Sequence, residues 1–330
     1  MSLRGTGFVK KLRRTGGWIA GLRSYDPAAR RVRRRGPAGI QIQTIDRCNG
    51  ACLMCPYSST ARSGPANLMS EDLYLHVLGQ IRQAASARTV LLMLQNEPLL
   101  DRTFVRRVRL AKEALPPAVR VGTVTNGAPL TPSLIEELAR SGIDTVMVSI
   151  DAIKEDTFNR IRPGLNFARV VNNTLALAER LGTRRVAAKF LRLSDNAGEE
   201  REFARFWSRH GIPTIVSEAC NRAGSLDDYE RVRRGDSPLW KKLTHPILNR
   251  FMPVCPLPFN SLGVLWDGRV ILCCNDWAPR ETVGDLTKQN LPEVWNGEKI
   301  NHHRHLLWTH RAAESSICAD CNLSDRFWKA

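Results

Sequence analysis

No apolar run in the 330-residue sequence approaches the roughly 18–20 residues that span a bilayer, which excludes a membrane-crossing helix. The apolar stretches near the N-terminus are too short and interrupted for a secretory signal, so the expected compartment is the cytoplasm. Acidic residues are almost missing before Ile40, where Asp26 stands alone against eleven lysines and arginines. That arm holds ten of the net +17 charges, so the body is only mildly basic and the nucleic-acid reading of a basic chain loses force. Residues 1–38 are read as a basic arm suited to an acidic electron-donor protein, an anionic membrane surface or nucleic acid. Phe8, Leu12, Trp18, Ile19 and Leu22 allow an interfacial helix, interrupted at Gly16 and Gly17; a solvated tail is the competing reading.

Without an export signal, nine cysteines do not read as a disulfide framework. They cluster at 48–55, 255–274 and 318–321, the distribution of thiols that bind metal or a metal–sulfur cluster.

From Gly39 onward, short β-branched runs alternate with helical patterns. Strands are expected at 39–44, 89–94, 119–124, 144–150, 186–191 and 213–218. Helices are expected at 70–85 (capped by Ser70), 101–114, 132–141 (capped by Thr131, with Pro132 first), 154–161, 166–181 and 199–210. Repeated strand–helix units with right-handed crossovers build a parallel sheet, open or curved into a partial barrel, with ligands at the C-terminal strand ends. After about residue 230 the pattern changes. A hairpin is expected over 262–272 around Asp267-Gly268, then a helix at 291–307, then Cys318-Ala319-Asp320-Cys321.

Cys48-Asn49-Gly50-Ala51-Cys52-Leu53-Met54-Cys55 directly follows the first strand. Three thiolates at this spacing ligate three irons of a 4Fe–4S cube and leave the fourth open to a small molecule. A zinc site would want a fourth ligand, and the nearest histidine, His76, lies in a helix. Further residues sit at successive strand ends: Gln95-Asn96-Glu97-Pro98, Thr125-Asn126-Gly127 and Ser149-Ile150-Asp151.

The segment resembles the signature loop of the radical S-adenosylmethionine (SAM) superfamily, and the resemblance runs from about Ile40 to the C-terminus. It implies a partial (β/α)6 TIM-like barrel over residues 39–230. It also implies that a cluster on Cys48, Cys52 and Cys55 binds SAM, and that SAM cleavage yields a 5′-deoxyadenosyl radical that takes a substrate hydrogen atom. Gln95, Asn96, Glu97 and Pro98 then stand where the family holds the SAM ammonium. Thr125, Asn126, Ser149 and Asp151 stand at its nucleoside-contacting positions, and Lys189 or Arg192 is the candidate for the SAM carboxylate. Met54 replaces the usual aromatic residue against the adenine, with Tyr57 a nearby substitute.

Cys255, Cys273, Cys318 and Cys321 resemble the ligand set of the family's SPASM/twitch auxiliary domain. Residues 231–330 are expected to form it, as a β-hairpin plus helix around a second 4Fe–4S cluster; a zinc ribbon competes. Such a cluster accepts or relays an electron. Cys220 and Cys274 are left over, as hydrogen-atom donors or as plain buried thiols. Arg222 and Asp276 are candidate substrate contacts or bases. His302, His303, His305 and His310 show no matching carboxylate pattern and read as solvated or cluster-packing residues.

Three functions compete. The leading one is oxidation or epimerisation of a sugar- or aminocyclitol-like small molecule, with a flavodoxin- or ferredoxin-type electron donor. The second is maturation of a ribosomal peptide, against which stands the short stretch before the first strand. The third is a zinc-stabilised nucleic-acid-binding protein, which leaves the strand-end motifs unexplained.

Overall fold

The computed structural model describes residues 25–29, 31–32, 36–60, 64–233, 255–277 and 279–322. Two strands, β1 (Tyr25–Asp26) and β2 (Arg31–Val32), pair antiparallel. Six parallel strands follow: β3 (Gly39–Ile42), β4 (Thr89–Leu91), β5 (Arg120–Thr125), β6 (Thr145–Ser149), β7 (Val186–Arg192) and β8 (Thr214–Glu218). The last strands are β9 (Ser261–Val264), β10 (Arg269–Ile271) and β11 (Gly284–Asp285). Helices Glu71–Ala84, Phe104–Ala114, Pro132–Ala139, Glu155–Ile161, Phe167–Leu181 and Glu200–Arg209 connect the parallel strands as the expected crossovers. Among the described residues no helix is long and apolar enough to cross a membrane.

Local chemistry accounts for the element ends. The Ser70 hydroxyl accepts from the Leu73 amide at 3.2 Å, and Thr131 accepts from Leu134 at 3.2 Å ahead of Pro132. Each such cap contributes about 1 kcal/mol. The helix expected from Asp101 begins at Phe104 instead. Asp101 is occupied, accepting from the Thr103 amide at 2.8 Å and pairing with the Arg107 guanidinium at 2.7 Å. Both members of that pair are buried, and Arg107 also lies over the Tyr74 ring. This anchors the turn leaving Glu97-Pro98. The helix expected over 291–307 divides at Asn296-Gly297 into Leu291–Trp295 and Glu298–Trp308, because Gly297 caps the second helix in an extended conformation.

The C-terminal hairpin is continuous with the barrel sheet. β9 pairs parallel with β3, from Gly39 opposite Ser261 to Ile42 opposite Val264, giving the order β11-β10-β9-β3-β4-β5-β6-β7-β8. Gly263 permits this: a Cβ there would stand 2.9 Å from both Leu94 and Ile271 side-chain atoms. Leu94 immediately precedes Gln95, so the hairpin packs directly behind one of the strand-end motifs. The solvated-tail reading fails for part of the arm. The Tyr25 ring is buried 5.1 Å from both Phe259 and Trp308, so β1 is stapled to the C-terminal region. The proposed interfacial segment, residues 8–22, lies outside the described residues.

Candidate active site

The chain leaves β3 into the loop bearing Cys48, Cys52 and Cys55, which is held in a turn by the Cys55 amide donating to the Cys52 carbonyl at 3.0 Å. The Gly50 amide points at the Cys48 sulfur, 3.5 Å away. Burial pushes the Cys48 thiol up to about 12 and also raises Cys55. Thiolates are therefore costly here without a cationic partner, as expected of iron ligands.

Glu97 is buried and draws this loop to the next two strand ends. Its own amide donates to the Arg47 carbonyl at 2.7 Å. Its carboxylate accepts from the Thr125 hydroxyl at 2.7 Å, the Asn126 amide at 2.7 Å and the Leu99 amide at 3.1 Å. Burial outweighs these donors and raises the Glu97 carboxyl to about 7. The Asn126 side chain reaches back to Asn49 at 2.7 Å. Gly127 turns the chain with φ of +78°, where a Cβ would meet Val148 at 2.9 Å. Asn96 uses its oxygen on the Leu94 amide at 3.0 Å, which leaves its buried Nδ2 without a partner. Pro98 opens the short turn Pro98–Leu100 that carries the chain away.

The structure divides the remaining strand-end candidates. Asp151, at φ of +66°, is not open to a ribose as expected. It is buried, its carboxylate accepting from the Leu191 amide at 2.7 Å and from the Arg162 guanidinium, with Nε at 3.1 Å. Arg162, which the sequence reading missed, also directs Nη1 at the Cys52 sulfur, 3.5 Å away. An Asp151–Arg162–Cys52 chain therefore puts positive charge beside one loop thiol. Arg192 is likewise unsuited to a SAM carboxylate: it forks onto Glu200 at 2.6 and 2.7 Å and reaches Glu218 at 2.6 Å. The other candidate, Lys189, lies within β7. Burial lowers its pKa, opposed by Asp151 and reinforced by Arg222 and Arg162. Ser149 lies opposite Lys189 in the sheet register. Met54 is buried with Ile161, Leu193, Ala219 and Val232, while Tyr57 opens the short helix Tyr57–Thr60.

In the C-terminal region, Cys255, Cys273, Cys318 and Cys321 line one cavity together with Asn275 and Asp276. Yet among the described residues no three Cys, His, Asp or Glu side chains converge closely enough to hold a single metal ion. Four thiols lining one cavity supply the donor set of a four-iron cluster. Cys274 does not line this cavity. It packs against Leu94, Leu265 and Ile271, and its thiol is lowered by the Cys273 hydrogen bond and by Arg222 and Lys189. Asp276 lines the same cavity, and burial raises its carboxyl to about 6.

Asn275, also missed, joins the two regions. Its backbone amide lies 3.4 Å and its Nδ2 3.8 Å from the Cys273 sulfur. Its oxygen accepts from Arg222 at 3.1 Å and from the Cys220 thiol at 3.3 Å. Arg222, at φ of +53° just beyond β8, has a buried Nε without a partner and lies within electrostatic reach of Cys55, Cys273 and Cys274. From the other side, Gln95 donates to the Asp276 carbonyl at 2.8 Å.

Residues 42–188 match the radical SAM superfamily, and residues 255–322 match SPASM, an iron–sulfur cluster-binding domain. The chain is 22% identical over 283 residues to the S-adenosyl-L-methionine-dependent 2-deoxy-scyllo-inosamine dehydrogenase of Niallia circulans, covering 86% of this chain and 92% of that one. The crystal structure of BtrN in complex with AdoMet and 2-DOIA superposes with a TM-score of 0.60 at 20% identity, covering 89% and 96% of the two chains. Streptococcus suis SuiB bound to its precursor peptide SuiA superposes with a TM-score of 0.68 at 14% identity, covering 98% and 77%. The two superpositions confirm the partial-barrel fold, and the matched domains imply SAM and iron–sulfur clusters as cofactors.

Proposed function

We propose that this chain, a radical SAM superfamily enzyme with a C-terminal SPASM domain, dehydrogenates a carbinol carbon of a sugar- or aminocyclitol-like small molecule. The observation that carries the reading is the position of Arg222 between the two thiol sets: it lies within electrostatic reach of Cys55 of the first loop and is linked through Asn275 to Cys273 of the second. A substrate held at this guanidinium lies between a radical source and an electron acceptor.

Cys48, Cys52 and Cys55 would hold the SAM-binding cluster, and Cys255, Cys273, Cys318 and Cys321 the auxiliary one. With both bound, SAM supplies a 5′-deoxyadenosyl radical for hydrogen-atom removal, and the auxiliary cluster supplies a one-electron sink. Lys189 would pair with the SAM carboxylate and Glu97 would take the SAM ammonium. Met54 bounds the adenine side, and the backbone at Asn126 and Ser149 borders the nucleoside. Arg222 donates to the carbinol oxygen and favours its deprotonated form, so the hydroxyl proton leaves to water as the electron departs. The orphaned Nε of Arg222 is the donor available for that oxygen.

Glu97 must be ionised to hold an ammonium, and in the SAM-free chain its carboxyl titrates at about 7. SAM affinity is therefore expected to weaken as pH falls through that value, by about tenfold per unit well below it. Equilibrium dialysis from slightly alkaline to slightly acidic pH measures this.

Cys220 supports a second outcome. Its buried thiol, hydrogen-bonded to the Asn275 oxygen beside Arg222, would return a hydrogen atom to give an inverted centre instead of a ketone, and the thiyl radical left behind would be restored by one electron from the electron donor and a proton from water. Turnover in deuterated water separates the two: a ketone with no deuterium on carbon supports dehydrogenation, whereas deuterium at an inverted carbon overturns it for epimerisation. A ferredoxin- or flavodoxin-type donor to the first cluster is part of the proposal.

A further inference from the structure

Helix Glu298–Trp308 carries a histidine that the proposed reaction does not yet use. His303 is 1% exposed, with Nδ1 2.9 Å from the Ser315 hydroxyl and Nε2 3.3 Å from the Glu281 carboxylate. Ser315 is also buried, and its oxygen accepts from the Ile317 amide at 3.3 Å and the Cys318 amide at 3.0 Å. Its side chain is in turn hydrogen-bonded to the Cys318 thiol. We propose that Glu281, His303 and Ser315 form a proton switch that couples electron uptake at the auxiliary cluster, through Cys318, to protonation of His303. The proposal rests on the assignment of Cys318 as a cluster ligand.

The hydrogen-bond count defines the switch. Two backbone amides occupy the Ser315 lone pairs, so its single O–H must go either to His303 Nδ1 or to the Cys318 sulfur. With neutral His303, Nε2–H donates to Glu281 and Nδ1 accepts the Ser315 proton. With His303 protonated, Nδ1–H takes the Ser315 Oγ lone pair held by the longer Ile317 amide bond, and the hydroxyl turns toward sulfur. An added donor at sulfur, with a cation behind it, favours the more negative reduced cluster. The balance is one electron into the cluster, from the substrate radical in turnover or from dithionite in a titration, and one proton from water onto His303, delivered at the Glu281 end, whose side chain is 31% exposed.

Burial lowers the His303 pKa and Glu281 opposes that shift, so the oxidised form holds His303 neutral near neutral pH. The charged and titratable groups around the switch are few. His302 lies next to His303 with ring centroids 5.5 Å apart, and Glu281 also receives the Ser316 hydroxyl at 3.0 Å and Lys299 at 3.9 Å. Asp276 lines the same cavity as Cys318 and its charge raises that thiol, so it is the competing titrating group.

The test is a redox titration of the auxiliary cluster in the full chain carrying Cys48→Ala, Cys52→Ala and Cys55→Ala, between about pH 5 and 8. The midpoint potential is expected to rise as pH falls, because the reduced form binds the extra proton. His303→Asn, which keeps an amide near Nδ1, is expected to flatten that dependence, and Glu281→Gln to move it to lower pH. Asp276→Asn should leave the slope in place. A flat wild-type profile, an unchanged slope in His303→Asn, or a slope lost in Asp276→Asn each overturns the switch while leaving the cluster assignment standing. Absence of any four-iron centre in this chain overturns the cluster assignment and the switch with it.

Discussion

Cys48→Ala is expected to stop 5′-deoxyadenosine formation, with a loss of at least about a thousandfold, roughly 4 kcal/mol of barrier. The argument is geometric. Cys48, Cys52 and Cys55 leave β3 in one loop whose turn is closed by the Cys55 amide, and the Gly50 amide is aimed at the Cys48 sulfur. Three thiolates leave one iron open for SAM; removing one leaves too few protein ligands to hold the cube in place. Anaerobic incubation of reconstituted protein with SAM and dithionite, followed by chromatography of the nucleoside, reads the result. Cleavage within about threefold of wild type would contradict the assignment.

The second large effect separates cleavage from turnover. Cys273→Ala is expected to leave 5′-deoxyadenosine formation nearly intact while lowering oxidised product about 100-fold, near 3 kcal/mol. Cys273 lines the auxiliary cavity, and the loop at Cys48–Cys55 is built from different elements. The neighbouring Cys274→Ala is the control: that thiol does not line the cavity, so product should form at a rate close to wild type. If Cys274→Ala behaves like the loss of a ligand and Cys273→Ala does not, the two cysteines have exchanged roles. Equal loss of cleavage and product in Cys273→Ala would deny the auxiliary site its separate role.

Much of this was legible in the sequence because local chemistry sets it. Caps at Ser70 and Thr131, the alternation of strand and helix, and the thiol spacings depend on near neighbours in the chain, and the structure reproduces them. What escaped depends on contacts between distant segments. Nothing near β9 signals that it pairs with β3 some 220 residues earlier, nor that Tyr25 packs on Phe259 and Trp308. The site shows the same division. Asp151 and Arg192 stand at strand ends as a nucleoside contact and a carboxylate partner would, but buried and forked ion pairs with Arg162, Glu200 and Glu218 occupy them. Arg162 gave no sequence signal, since its two partners lie 11 and 110 positions away. Asn275 had one, its place directly after Cys273-Cys274, which becomes meaningful only once Cys220 and Arg222 are seen to share its oxygen. The sequence groups His303 with its helix neighbours as solvated or cluster-packing residues. Its pairing with Ser315 and Glu281 distinguishes it from them.

The central claim, that one chain holds a radical-generating cluster and a separate electron acceptor, is tested most directly by counting metal. After anaerobic reconstitution of the full chain and removal of unbound iron, the account predicts about eight irons and about eight acid-labile sulfides per chain. About four irons, with the remaining thiols holding one zinc or nothing, would contradict it.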